Sequence, residues 1–229
     1  FKKIEINGPK NLKAFDVTIP SDWEGVAFPL IAALMTDSKI TIENVDSSGT
    51  QGDDAIVEIL KSIGADIEWD KEQNTLTVCG GKYAKNGHGK LSTKSLPNGE
   101  LHVNMNSFPD AVCALAAIAT KVEGTVVLED AAVCRRKETD RLKVLNIELS
   151  KLGANIEEKE DSLIIHGGAE LHGETVESYK DHRMAMSLAC LALALPAGEK
   201  MTIKDAECCS VSFPHFFELM NNLGAGFLN

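Results

Sequence analysis

The chain has 229 residues, 44% hydrophobic and 25% charged, with 18 Gly and 7 Pro. That composition supports a packed core and excludes wholesale disorder and collagen-like repeats, in one large domain or two small ones. The formal charge of −11, from 34 acids against 23 Lys and Arg, argues against a broad nucleic-acid-binding face, so any anionic ligand has to be met by a local cluster of cations.

The longest apolar run, Met186 to Pro196 broken only by Ser187, is about half of the roughly 20 residues that cross a bilayer, so no membrane span is expected. The start, Phe1-Lys2-Lys3, has no apolar signal core, and Phe1 in place of an initiator Met reads as a piece of something longer. Cys79, Cys113, Cys134, Cys190, Cys208 and Cys209 form no CxxC pair and no His completes a zinc spacing. They read as reduced thiols in a cytoplasmic protein, with no metal site and no cofactor.

In chain order, an opening strand is expected at Ile4 to Ile6, followed by three segments with one grammar. These are Asp22 to Val45, Asp110 to Leu128 and Asp181 to Ile203. Each has an Asp able to cap a helix start, then an apolar helix buried on most sides, then a strand. A second helix follows in each and ends alike: Ser62-Ile63-Gly64-Ala65, Lys151-Leu152-Gly153-Ala154 and Asn222-Leu223-Gly224-Ala225. The Gly suits a left-handed helix stop. Hairpins are expected after the first two, Ile67–Trp69 with Thr75–Cys79 and Ile156–Glu158 with Ser162–His166, running into Gly80-Gly81 and Gly167-Gly168. The fold expected is therefore α/β (α+β), three βαβαββ units in which the strand at Ile4 to Ile6 supplies part of what the third copy lacks. Lys82 to Gly99 reads as a solvated connection.

The charged residues do not fit a purely structural account. Arg135-Arg136-Lys137-Glu138-Thr139-Asp140-Arg141 opens the second helix of copy two, where Leu142, Leu145, Leu149 and Leu152 mark the buried face. Lys137 and Arg141 then fall one turn apart on a flank of the first turn. Cations at a helix start oppose the macrodipole, which makes sense if an anion sits there; the alternative is that Glu138 and Asp140 pair with neighbouring cations on a solvated surface. Asp181-His182-Arg183 repeats the pattern before the most apolar helix, and Asp110, after Pro109, is either a cap or a proton acceptor. Helix N-termini brought together at one end of the domain would give a locally positive surface for a small, multiply anionic ligand.

Arg136 to Arg141 and Tyr179 to Met186, with Phe108-Pro109-Asp110-Ala111, Gln51-Gly52-Asp53 and Ser212-Phe213-Pro214, resemble the EPSP synthase (3-phosphoshikimate 1-carboxyvinyltransferase) family of the shikimate pathway, which leads through chorismate to the aromatic amino acids. The resemblance covers about Phe15 to Leu223. It implies a single C-terminal-type domain over residues 1–229, with units at about 12–81, 100–168 and 174–229, buried helices and sheets outside. The family's N-terminal domain would be absent.

The family reaction moves the enolpyruvyl group of phosphoenolpyruvate to the 5-hydroxyl of shikimate 3-phosphate, releasing phosphate. By resemblance Asp110, Glu138 and His182 are catalytic: Asp110 faces the reacting hydroxyl, Glu138 is the second acid/base near the methylene carbon, and His182 tunes or donates to Glu138. Lys137, Arg141 and Arg183 bind substrate, the two arginines clamping phosphoenolpyruvate with planar forks. Asp22 matches a family Asp, with capping its expected role. Val211 stands where several relatives carry a Lys, and Val133 where many carry an Asn, which puts ligand affinity in question. The implied partners are the two small-molecule substrates and the missing domain, with no nucleic acid or membrane. Without that domain the chain is expected to have no turnover. The competing readings are a non-catalytic binding or scaffold module, and the UDP-N-acetylglucosamine enolpyruvyl transferase, which lacks both charged motifs.

Overall fold

The computed structural model describes residues 3–228, so the reading of Phe1 lies outside the described residues. Three apolar helices form the centre: α1 (Trp23–Met35), α3 (Val112–Ala119) and α5 (His182–Ala192) pack on one another. Ten of the 13 residues of α1 and all eight of α3 are buried. Helices apolar on every side have to be interior. The second helices, α2 (Ala55–Ser62), α4 (Arg141–Lys151) and α6 (Phe216–Asn222), are shorter of apolar surface and leave one side to solvent.

Strands β1 (Lys39–Glu43), β2 (Asp66–Asp70) and β3 (Thr75–Cys79) form an antiparallel sheet in the order β1-β3-β2. A four-stranded sheet follows the order β4-β5-β7-β6, from β4 (Glu100–Asn104), β5 (Thr125–Glu129), β6 (Asn155–Glu158) and β7 (Leu163–His166). Here β4 and β5 run parallel, Glu100 opposite Thr125, while β6 and β7 form a hairpin. Strands β8 (Thr175–Glu177) and β9 (Thr202–Lys204) make a parallel pair. Alternate residues of β3, β5 and β7 face inward, as expected of sheets with one buried face.

The internal likeness extends to backbone detail. Gly64, Gly153 and Gly224 have φ of 99°, 91° and 101°, and the next residue donates its N–H to a carbonyl five positions back: Ala65 to Leu60, Ala154 to Leu149, Ala225 to Met220. This is the left-handed helix stop the sequence predicts. Asn44, Asp130 and Asp205, directly after β1, β5 and β9, are all left-handed (φ 59°, 54° and 52°), a conformation that Asn and Asp tolerate best among residues with a Cβ. A methyl at Gly80 would strike the Ala33 carbonyl, and one at Gly167 the carbonyls of Val122 and Ala119, so the end of each hairpin touches the end of a central helix in the same way.

The strand count differs from expectation. The order βαβαββ is complete only from β4 to β7. In the first segment a single bridge, Ser21 to Val45, stands where an opening strand belongs, and the third has β8-α5-β9-α6. Ile4 to Ile6 is not a strand: residues 3–20 carry no helix or strand, with Ile6 86% and Phe15 81% exposed. A strand forms only against a partner edge, and none is placed beside this segment. In the connection after Gly81, most residues are exposed as expected, but Ala84, Leu91 and Thr93 are buried, the Thr93 hydroxyl donating to the Gly99 carbonyl at 2.5 Å. No helix among the described residues is long and apolar enough to cross a membrane, and the six cysteines are free thiols.

Candidate functional site

Four element beginnings converge at one end of the central helices. Asp181 caps α5, accepting from the Arg183 N–H at 2.9 Å. Asp140 caps α4, accepting from the Lys143 N–H at 3.1 Å. Asp22 caps α1 through the Glu24 N–H, the role expected of it. The Gln51 amide carbonyl adds a bond from the Trp23 N–H at 2.9 Å, and a Cβ on Gly52 would come within 3.1 Å of the Ser107 carbonyl. Asp110 sits inside a 3-10 turn, Pro109–Ala111, that runs into α3, and its side chain caps nothing. It is free to face the cations.

Arg141 is the hub, with a side chain that is 0% exposed. It grips Asp181 with two nitrogens (Nε to Oδ2 2.8 Å, Nη2 to Oδ1 3.2 Å), Asp110 through Nη1 at 2.6 Å, and Glu138 through Nη2 at 2.7 Å. Lys137 Nζ donates to the other Asp110 oxygen at 3.1 Å. Arg183 pairs with Glu24 of α1, and its Nε lies 3.6 Å from Asp110 Oδ1. All six expected site residues thus lie in one region, with Arg141 and Asp181 inside and Lys137 and Glu138 at the surface.

Several local readings need correction. Helix α4 begins at Arg141, so Lys137 and Glu138 precede it rather than lying on its first turn; residues 132–136 form a 3-10 stretch. The neighbour-pairing alternative holds for part of the motif, since Arg135 binds Asp140 at 3.0 Å and Glu158 at 2.6 Å. His182 and Arg183 are 7% and 8% exposed, not solvated. The surface is also not locally positive. Glu24, Asp53, Asp110, Glu138 and Asp181 outnumber Lys137, Arg141 and Arg183, because a buried guanidinium needs carboxylates around it.

The electrostatics follow from this packing. Burial disfavours the charged Asp110 carboxylate, but Arg183, Lys137 and Arg141 outweigh it and hold its pKa below the usual value. Burial also works against the charge on Arg141, and the Asp181 and Glu138 carboxylates reverse the effect and raise its pKa. Burial first, and Arg183 second, push His182 below 6.5, so its ring is neutral near pH 7. Burial, joined by Asp110, raises Asp53. Glu24 is missed in the sequence, and Asp53 and Asp181, though named within motifs, are not foreseen there as neighbours of Arg183 and Arg141. Glu24 shows in the sequence only as an ordinary first-turn acid, 159 residues from Arg183. Val211 is 79% and Val133 47% exposed, so neither apolar replacement is taken up by the core.

This is a mixed α/β domain with charged side chains gathered at the starts of its buried helices. Residues 2–220 match the family described as EPSP synthase (3-phosphoshikimate 1-carboxyvinyltransferase), and the chain belongs to that family. It is 42% identical over 223 residues to the 3-phosphoshikimate 1-carboxyvinyltransferase of Methanosarcina acetivorans, covering 97% of this chain and 47% of the relative. It is 38% identical to that of Clostridium kluyveri over 224 residues, or 98% and 48%. The structure of EPSP synthase from Acinetobacter baumannii superposes with a TM-score of 0.72 at 29% identity, over 89% of this chain and 46% of that one. The chain spans about half the length of the relatives it matches.

Proposed function

We propose that this chain is the C-terminal-type half of a cytoplasmic EPSP synthase, a domain of three related units, the second of them a complete βαβαββ, that moves the enolpyruvyl group of phosphoenolpyruvate to the 5-hydroxyl of shikimate 3-phosphate once the other domain closes on it. The observation that carries the reading is Asp110, held between Lys137, Arg141 and Arg183, with Glu138 on the same guanidinium. The reaction needs this set. The hydroxyl oxygen gives up its proton to Asp110 as it forms a bond to C2 of phosphoenolpyruvate while C3 gains a proton; the tetrahedral intermediate then loses phosphate, which carries away the hydroxyl's proton from Asp110, and returns the C3 proton.

Asp110, its pKa held low by cations, orients the hydroxyl by accepting its hydrogen bond and holds the proton only in passing, on its way to the departing phosphate, while Lys137 steadies the same oxygen. Glu138, at the surface edge, exchanges the C3 proton. His182, neutral, lies beside the phosphoenolpyruvate clamp. Arg141 organises these groups, since its own donors are largely filled by protein carboxylates. Domain closure excludes water and brings the remaining cations. A coupled phosphate-release assay tests this: the 229-residue chain alone should show no turnover, the two-domain parent should turn over, and Glu138→Gln in the parent should abolish it. Undiminished turnover in that variant would reject the assignment.

A further inference from the structure

Two arginines meet the candidate site, and they are not equivalent. Arg141 has its Nε, Nη1 and Nη2 all engaged by Asp181, Asp110 and Glu138. Arg183 is 8% exposed, yet its Nε finds no hydrogen-bond partner among the described residues. The nearest carboxylate oxygen, on Asp110, is 3.6 Å away, beyond a hydrogen bond. Only Glu24 closes the guanidinium from α1. A buried fork with an unused donor and one removable partner is a site waiting for a better anion.

We infer that Glu24 occupies the place on Arg183 that an anionic ligand group takes, and that it acts as a built-in competitor setting the affinity and pH dependence of anion binding at this face. Glu24 is suited to leave: its side chain is 29% exposed and stands on the first turn of α1, so a rotation carries its carboxylate into solvent. Asp181, at 0% exposure, has no such exit.

The groups facing Glu24 are Arg183 from α5, Asp110 from the 3-10 turn and Asp22 before its own helix, while Asp53 faces the same Arg183 and Asp110. Arg183 is therefore shared by Glu24, Asp53 and Asp110, the last of which also has Lys137 and Arg141. Burial, with Asp110 and Asp22 adding to it, outweighs Arg183 and raises the Glu24 pKa above its ordinary value. An arriving phosphate or carboxylate displaces the Glu24 side chain or finds it already neutralised by a solvent proton. Identifying that ligand group with phosphoenolpyruvate rests on the function proposed above; the competition itself does not.

The test uses sulfate, whose charge is constant from about pH 5 to pH 8, and follows the backbone amides of His182 to Met184 by NMR in the 229-residue chain and its variants. Glu24→Gln should tighten sulfate binding about tenfold at neutral pH, equivalent to about 1.4 kcal/mol. It should also flatten a wild-type affinity that otherwise weakens as the pH rises. Glu24→Ser should do the same, and Arg183→Gln should abolish binding in either background. Equal or weaker binding in both Glu24 variants overturns the inference, as does sulfate binding that survives Arg183→Gln. Repeating the titration with phosphoenolpyruvate in the two-domain parent, where closure can complete the site, separates the two proposals. Tighter sulfate without phosphoenolpyruvate binding rejects the functional reading alone, and Arg183-dependent phosphoenolpyruvate binding that ignores Glu24 rejects the competition alone.

Discussion

Replacing Arg141 with Met keeps the unbranched apolar stem of the side chain and removes its charge and fork. Asp181 is then left fully buried with only the Arg183 N–H on its carboxylate, and stranding one partner of a buried pair costs about 3–5 kcal/mol. Asp110 and Glu138, with side chains 20% and 45% exposed, can regain water, so each adds about 0–1 kcal/mol. Against a domain stability of about 5–15 kcal/mol the loss is large. With a urea slope of about 2 kcal/mol/M, the midpoint should fall by about 2 M with the slope unchanged. Unfolding can be read from Trp23, 1% exposed and 4.9 Å edge-on to Trp69. The double variant Arg141→Met, Asp181→Asn removes the stranded charge and should recover at least half of the loss, a coupling visible in a mutant cycle. If Arg141→Met costs less than about 1 kcal/mol, or the double variant is no better than the single, the ion pair does not hold the site together.

Two other outcomes are expected. The His182 ring should titrate below 6.5, since burial and then Arg183 depress it; a proton held less tightly in the folded chain means that its stabilisation is present above 6.5 and is lost as the pH falls through the lower folded value. An imidazole NMR titration checks the first point, and urea midpoints measured downward from neutrality, compared with His182→Gln, check the second. Gly80→Ala and Gly167→Ala, which drive a methyl into helix-end carbonyls, should each cost more than about 2 kcal/mol, whereas Gly8→Ala, with nothing within 4 Å, should fall within about 0.5 kcal/mol of the parent by thermal unfolding.

What the sequence revealed was local. An Asp before an apolar run, a Gly after a helix and a hairpin of alternating residues each act over a few positions, and all three recur where expected, except that Asp110 caps nothing. The meeting of Asp110, Lys137, Glu138, Arg141, His182 and Arg183 was legible from their repeated placement at element starts. Its charge balance was not. Glu24 reaches Arg183 across 159 residues and Asp181 reaches Arg141 across 40, and nothing in spacing announces such pairs. The start of α4 differs for a local reason: the Asp140 carboxylate caps the helix, so Arg135 and Arg136 close a 3-10 stretch and Lys137 to Thr139 link it to the cap. The strand at Ile4 to Ile6 failed because its alternation describes a pleated surface without saying what it would pair with.

The way α4 holds the neighbouring loop explains why the site can rely on a strained approach. Tyr179 and Lys180, just before Asp181, are both left-handed, at φ 56° and 57°, a conformation costing about 1–3 kcal/mol for each residue with a side chain. Arg141 and Glu148, seven residues or two turns apart on α4 and both buried, take hold on either side of that turn. Arg141 binds Asp181, while Glu148 accepts from the Tyr179 hydroxyl at 2.8 Å and the Glu177 N–H at 3.1 Å. Lys151 Nζ, 2.8 Å from a Glu148 oxygen, supplies the balancing charge, and burial together with Glu148 pushes the Tyr179 phenol up to about 12. Two buried grips of opposite sign on one helix face offset the strain and leave the turn a single way to sit. Arg183 therefore meets its anion from a fixed base while Glu24, on the more exposed rim, is the partner free to move, a division of rigidity that favours exchange of ligand over rearrangement of the site.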